Sequence, residues 1–216
     1  MNSPRIALLG AGGHARVLVE TLASSGQNAE VVIASEVKDS AFNAMEFFSN
    51  DRDFIERYDP GSVALVNGLG SVPRDNGLRK DLFCWYAQKN YTFLTVIAPS
   101  AYVSPSALLG QGVQVNAGAI IQAGAIVGEN CIVNSGAIIE HDCVIADHCH
   151  VAPGAVLSGG VTLGGSVHVG TGARLIQGLD IGCNSVIGAG AVVTGNISCD
   201  TTFVSRGSLA VRASHE

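Results

Sequence analysis

The chain has 216 residues, 14% of them charged, with a formal net charge of -6. That length allows one or two domains with a sizeable core, and the acidic balance supplies no basic face for nucleic acid or an anionic membrane surface. No run of about 18 apolar residues is present to span a bilayer.

Met1 to Leu9 lacks the basic and long apolar regions of a secretory signal, and the six cysteines are scattered without CxxC pairs. A reducing cytoplasm is the expected location. Cys131, Cys143, Cys149 and Cys183 fall in ordinary slots of the repeat described below and are expected to be small core residues.

Arg5 to Leu9 reads as a strand, Gly10-Ala11-Gly12-Gly13-His14-Ala15 as a tight turn, and Val17, Leu18, Thr21 and Leu22 as the face of a helix ending near Gly26. The turn fits the G-x-G-x-x-A variant of the nucleotide fingerprint. There, bare backbone admits a phosphate and the helix start supplies N–H groups. Glu30 to Ile33 is a second strand, ending at Ala34-Ser35-Glu36, where such folds place an acidic residue toward a ribose or base. Ser62 to Val66 is a third, running into Asn67-Gly68-Leu69-Gly70. Arg79 to Lys89 reads as a helix and Tyr91 to Val96 as a last short strand. Residues 1–96 thus form an α/β, Rossmann-like domain, too small for a dinucleotide sheet of two halves but suited to a mononucleotide.

From Ile97 to Val193 an aliphatic residue stands at every sixth position, without insertion. The fifth place is mostly Ala or Cys, and the fourth mostly Gly or Asn, which tolerate left-handed backbone angles at corners. This is the hexapeptide signature of a parallel β-helix, all-β, over residues 97–198. Three hexads close one triangular coil, so residues eighteen apart stack, and neighbouring coils stabilise one another. Residues 199–216 form a tail that caps or flanks the last coil.

Polar exceptions to the repeat cluster in Ile139-Glu140-His141-Asp142-Cys143-Val144 and Ile145-Ala146-Asp147-His148-Cys149-His150. A His-Asp pair at a corner that otherwise takes small residues marks a functional position. His150 and His168, eighteen apart, lie one above the other, and two imidazoles begin a metal site of the γ-class carbonic anhydrase kind. That arrangement needs a third histidine, and His148 points from a different corner, so no metal is expected.

With Gly-x-Gly-Gly-His near the start and Ile139 to Ile145 followed by His150, the chain resembles the bacterial sugar acetyltransferases of the sialic acid O-acetyltransferase type. Within these it is most similar to N-acetyltransferases acting on UDP-4-amino-4,6-dideoxy sugars or GDP-perosamine. The resemblance implies a left-handed β-helix, a homotrimer, acetyl-CoA as cosubstrate in the groove between prisms, and a nucleotide-linked amino sugar held by the first domain. It implies His141 as general base, Asp142 as its acidic partner, and His150, Gly159, Thr171 and Ala189 as coenzyme contacts, with the Gly159 N–H at the thioester carbonyl. For the substrate it implies the Gly10, Gly12, Gly13 and His14 turn, with Ser35, Glu36 and Gly68 around it.

The chemistry suits those types. An amine attacking a thioester must lose a proton, which imidazole takes readily. A carboxylate stabilises the imidazolium as it forms. A backbone donor serves the oxyanion. Ser35-Glu36 replaces the Asp-Asp type pair of relatives, and Arg206-Gly207-Ser208-Leu209-Ala210 replaces their closing Gly-x-Pro-Ala-Lys-like segment. Arg174 and Arg206 are candidates for the coenzyme phosphates. Three competing functions stand beside amino-sugar N-acetylation: sugar O-acetylation, a metal-dependent hydratase, and a nucleotide-sugar-binding scaffold without catalysis.

Overall fold

The computed structural model describes residues 5–26, 30–35, 40–43, 45–73 and 77–204. Glu36 and Arg206 to Ala210 lie outside them.

Strands β1 (Arg5–Leu9), β2 (Glu30–Ala34), β3 (Glu46–Phe48) and β4 (Ala64–Asn67) form one parallel sheet in the order β3-β2-β1-β4. Helices α1 (Gly13–Ser24), α2 (Asp51–Arg57) and α3 (Gly77–Ala87) cover it. The apolar run of β1 is buried on both faces, as expected of a central strand between helical layers. On one side Leu18 and Leu22 of α1 pack against Ile6, Leu8, Ile33 and Val66. On the other, Phe54, Tyr58, Phe83, Tyr86 and Tyr91 build an aromatic layer of edge-on and tilted rings.

Two sequence expectations change here. β3 and α2 were not anticipated. The strand is only three residues long, and α2 is announced by a cap: Asn50 accepts from the Asp53 N–H at 2.9 Å. Tyr91 to Val96 makes only a bridge, Leu65 to Phe93. Val96–Ile97 instead pairs with Gln114–Val115 and opens the prism.

From there two-residue strands recur at each hexad and pair with strands eighteen residues away, Ile138–Ile139 with Val156–Leu157 for example. Three parallel sheets result. The hexad heads and fifth-place residues point inward as one core, from Val113 to Val193. Every sixth residue from Gly112 to Gly190 has positive φ, including Asn130, Asp142, His148, Ser166 and Asn184. Each coil therefore turns through a left-handed residue, which explains the preference for Gly and Asn at the fourth place.

The last coil departs from this period. Ile181 bridges Ile197, and Val186–Ile187 pairs with Thr202–Phe203, so the coil closes in sixteen residues. Ile197 takes the inward place that strict periodicity would give Cys199. Cys183 accordingly is not a core residue: it is partly exposed, with its Sγ donating to Cys199 Sγ at 2.8 Å. Cys131, Cys143 and Cys149 are buried as expected.

One prism face is covered by the α/β layer. Gln114, Ile132, His150 and His168 point outward from the prism yet are buried. A second face leaves Leu108, Ile126 and Val144 exposed in a stripe. Among the described residues no helix is long and apolar enough to cross a membrane.

Candidate active site

His141 and Asp142 sit on a corner between the strands Ile138–Ile139 and Val144–Ile145. Asp142 adopts φ 58, a strained angle for a residue with a side chain, and its Oδ2 lies 2.9 Å from His141 Nδ1. The carboxylate accepts, so Nδ1 carries the proton and Nε2 keeps its lone pair. Both side chains are exposed. One coil away, Gly159 lies under the ring: a Cβ there would stand 2.6 Å from both Cε1 and Nε2 of His141. Only glycine leaves the imidazole this position. The His141 backbone accepts from Gly160 N–H at 2.9 Å, tying the two corners together.

His150, Thr171 and Ala189 share a cleft of about 280 Å³, with Ser71, Pro73 and His168 on its walls. The His150 ring is fully committed, donating from Nδ1 to the Ser71 carbonyl at 3.1 Å and accepting at Nε2 from Asn134 Nδ2 at 3.1 Å. Asn134 has its amide oxygen occupied by Asn116, which fixes that direction. Burial, then the neighbouring His168 and His14, pushes His150 down to about 3, so the ring is neutral. Its ring meets that of His168 edge-on at 4.8 Å. Burial also lowers His168, whose Nδ1 has no partner. Among the described residues no three His, Cys, Asp or Glu side chains form a group able to hold a metal. Arg174 is exposed, and its one side-chain hydrogen bond among the described residues is to the Gly172 carbonyl at 3.5 Å.

The glycine turn lies at the C-terminal end of β1. Gly10 has φ 99, and a Cβ there would press on Leu69 at 2.9 Å. Gly12 caps α1, whose first residue is Gly13, and both are exposed with open space above them. Gly10 and Ser35 line a second cleft, of about 550 Å³. Gly68 does not line it. It is buried, donates to the Leu9 carbonyl at 2.8 Å, and leaves no room for a side chain against β1.

His14 turns from this site toward the prism, donating from Nε2 to Gln114 Oε1 at 2.6 Å. Gln114 Nε2 donates to the Asn67 carbonyl at 2.7 Å, which also accepts from Arg79 Nη1 at 2.9 Å. Asn67 Nδ2 reaches the Arg79 carbonyl and Asn130 Oδ1. Burial brings His14 down to about 4, with Arg79 adding to it against the Gln114 bond, and brings Arg79 down to about 9. Gln114, Asn67 and Arg79 escaped sequence reading: Asn67 ends a strand and Arg79 stands in the first turn of a helix, where polar residues are ordinary, and Gln114 is one polar outward slot of the prism. Polar residues there do not reveal which face another layer will cover.

A parallel prism with a His-Asp corner, joined to an α/β layer with a glycine turn, defines a hexapeptide-repeat acyltransferase. The bacterial transferase hexapeptide family matches residues 124–159, and the PglD N-terminal domain family matches 5–86. The prism is a left-handed parallel β-helix. No curated protein matches the chain. Among solved structures, the acetyltransferase domain of PglB from Neisseria gonorrhoeae FA1090 is 32% identical, with TM-score 0.86, over 93% of this chain and 96% of that one. The same domain in complex with acetyl coenzyme A gives 31% identity and TM-score 0.85 over 93% and 96%. A histidine-to-asparagine variant of perosamine N-acetyltransferase from Caulobacter crescentus, in complex with CoA and GDP-perosamine, is 32% identical with TM-score 0.80, over 91% of each chain. The chain belongs to this family, the nucleotide-amino-sugar acetyltransferases, and is an acyltransferase.

Proposed function

We propose that the chain transfers acetyl from acetyl-CoA to the amino group of a nucleotide-linked amino-deoxy sugar, with His141 as general base. The observation that carries this reading is the His141–Asp142 pair against Gly159. Nδ1–H is held by the carboxylate, Nε2 is left to take a proton, and the glycine beneath the ring leaves the imidazole this position. The amine attacks the thioester carbonyl as Nε2 takes its proton. The tetrahedral oxyanion is met by the Gly159 N–H. Collapse breaks the carbon–sulfur bond, and the imidazolium returns the proton to the departing thiolate.

The coenzyme runs over residues 97–198, along the cleft of His150, Thr171 and Ala189, and the nucleotide is held by residues 1–96 at Gly10, Gly12, Gly13 and Ser35, with His14 contributing its backbone at the start of α1 while its ring bonds Gln114. Since both His150 nitrogens are already bonded within the chain, its part is to present the ring and hold Ser71 beside the coenzyme. Residues 199–216 are the tail, of which the described residues 199–204 complete the end of the prism. The exposed stripe of Leu108, Ile126 and Val144, on a face adjoining the His141 corner, supports a homotrimer in which a second copy covers the groove. Six unpaired thiols suit the cytoplasm.

The test is acetyl transfer to UDP- and GDP-linked 4-amino sugars and to free sialic acid, followed by release of CoA thiol. Thiol release with an amino sugar alone supports N-acetylation. Release with sialic acid alone makes the enzyme an O-acetyltransferase.

A further inference from the structure

Helix α3 presents two stripes. Arg79, Phe83 and Tyr86 are buried in the domain core. Leu78, Asp81, Leu82 and Trp85, at i, i+3, i+4 and i+7, line the cleft of about 550 Å³. Leu78 is 68% exposed and Trp85 37% exposed. A helix side that faces water is ordinarily polar; this one is apolar with a single carboxylate in its middle. It stands beside Gly10 and Ser35, outside the carboxyl ends of β1 and β2, where open parallel sheets take their ligands.

Resting on the nucleotide-sugar reading above, we propose that this second stripe seats the nucleobase, and that the base is guanine. Leu78, Leu82 and Trp85 offer a surface on which a ring can stack, with the indole held by Lys89, whose Nζ is 4.3 Å from its centroid, and by the edge of Tyr86. Stacking accepts any base, because every base has a π-face. Selection falls to the polar groups, and the two carboxylates of the lining, Asp51 and Asp81, accept. The Asp81 carboxylate has no hydrogen-bond or ion-pair partner among the described residues. Asp51 uses Oδ1 to accept from Tyr86 at 2.6 Å and retains Oδ2. The Asn50 amide is spent on capping α2 and on Asp53. No lysine or arginine is among the described residues lining the cleft.

A carboxylate accepts two parallel N–H bonds, and guanine presents that fork, N1–H beside the N2 amino group. Uracil offers one N–H between two carbonyls that a carboxylate repels. Cytosine and adenine each offer one amino donor beside a ring acceptor. The diphosphate then falls away from the carboxylates, toward the Gly10 to Gly13 turn and the N–H groups that open α1.

Calorimetric titration of the full chain with GDP, UDP, CDP and ADP, and separately with CoA, tests this. GDP is expected to bind at least about tenfold tighter than the other three. Asp81→Asn should bring GDP within about threefold of UDP, with CoA affinity and melting temperature unchanged. Trp85→Leu should weaken all four together. A preference for UDP, CDP or ADP, or a GDP preference that survives in Asp81→Asn, overturns the guanine assignment and leaves the nucleotide-sugar reading standing. Binding of CoA with no binding of any diphosphate overturns that reading, and this assignment with it. Asp81 is exposed on its helix, so the variant folds; Asp81→Ser, expected to behave like Asp81→Asn, repeats the measurement.

Discussion

His14 Nε2 donates to Gln114 Oε1 at 2.6 Å, a bond between residues one hundred apart that joins the glycine turn of the α/β layer to the second coil of the prism. It is half of a chain, since Gln114 donates onward to Asn67. Gln114→Leu strands a buried N–H of His14 and should cost about 2 to 3 kcal/mol. Urea unfolding reads this directly; a change under about 0.5 kcal/mol would show that the bond contributes little to the joint.

The same joint gives the chain an acid limit. His14 and His150 are held neutral in the fold, at about 4 and about 3, whereas in the unfolded chain a histidine titrates at its ordinary value of 6.5. Stability is full above pH 6.5. It falls as pH drops from there toward 4, because the unfolded chain takes up protons that the folded chain refuses. The loss is on the order of 3 kcal/mol for His14 alone. Melting temperature measured from pH 7.5 to 4 should fall on the acid side, and the fall should shrink in a chain with His14→Gln. An equal fall in both would assign the limit to other groups.

Removing the base separates binding from chemistry. His141→Ala should keep fold and CoA affinity while kcat falls about 10²- to 10⁴-fold. Turnover near the wild-type rate in His141→Ala would remove His141 from the mechanism.

Gly159 is the sharper probe of geometry. Its φ is not in the left-handed region, so alanine fits the backbone, but the added carbon would meet His141 Nε2 at 2.6 Å and displace the ring. Gly159→Ala should lower kcat about 10- to 100-fold through a misplaced base, with melting temperature within a few degrees of wild type. Single-turnover kinetics would locate the loss in the chemical step. A loss confined to KM would point instead to the coenzyme.

Asp142 trades stability for orientation. At φ 58 it carries strain that glycine lacks. Asp142→Gly should therefore raise stability by about 1 kcal/mol while lowering kcat, because His141 Nδ1 loses its acceptor. Asp142→Asn keeps an acceptor oxygen and should retain more of kcat than the glycine variant. If Asp142→Gly were both more stable and fully active, the carboxylate would have no part in orienting His141.

The prism was readable because each of its coils repeats one local rule. An aliphatic residue such as Ile139 must point inward, and a corner such as Gly136 must turn left-handed, wherever in the chain they stand. His141 and Asp142 were readable as breaches of that rule. Ile197 shows the limit: counting by six past Val193 assigns the inward place to Cys199, and only the closed stack reveals that two residues are missing. The Asn67–Arg79–Gln114 network was hidden for another reason. Asn67 and Arg79 are polar at a strand end and in a helix's first turn, where polarity is ordinary, and the burial of all three arises from the packing of one layer on another. β3 left little trace in three residues. Gly68 shows that glycine serves two needs, room for a ligand and room for a neighbouring strand; here it packs against β1.

His141 and Gly159 are separated by one coil, so their contact is a repeat distance of a one-dimensional lattice, close to the ~4.8 Å between paired strands. That distance is set by every rung above and below, and no loop has to be held in place to maintain it. The α/β layer packs on another face of the prism and does not enter that distance. The stack is thus a ruled scale, and the His141–Gly159 spacing is one of its divisions. Inserting a whole coil far from the site should leave the gap intact, whereas inserting one between His141 and Gly159 would open it by a full division.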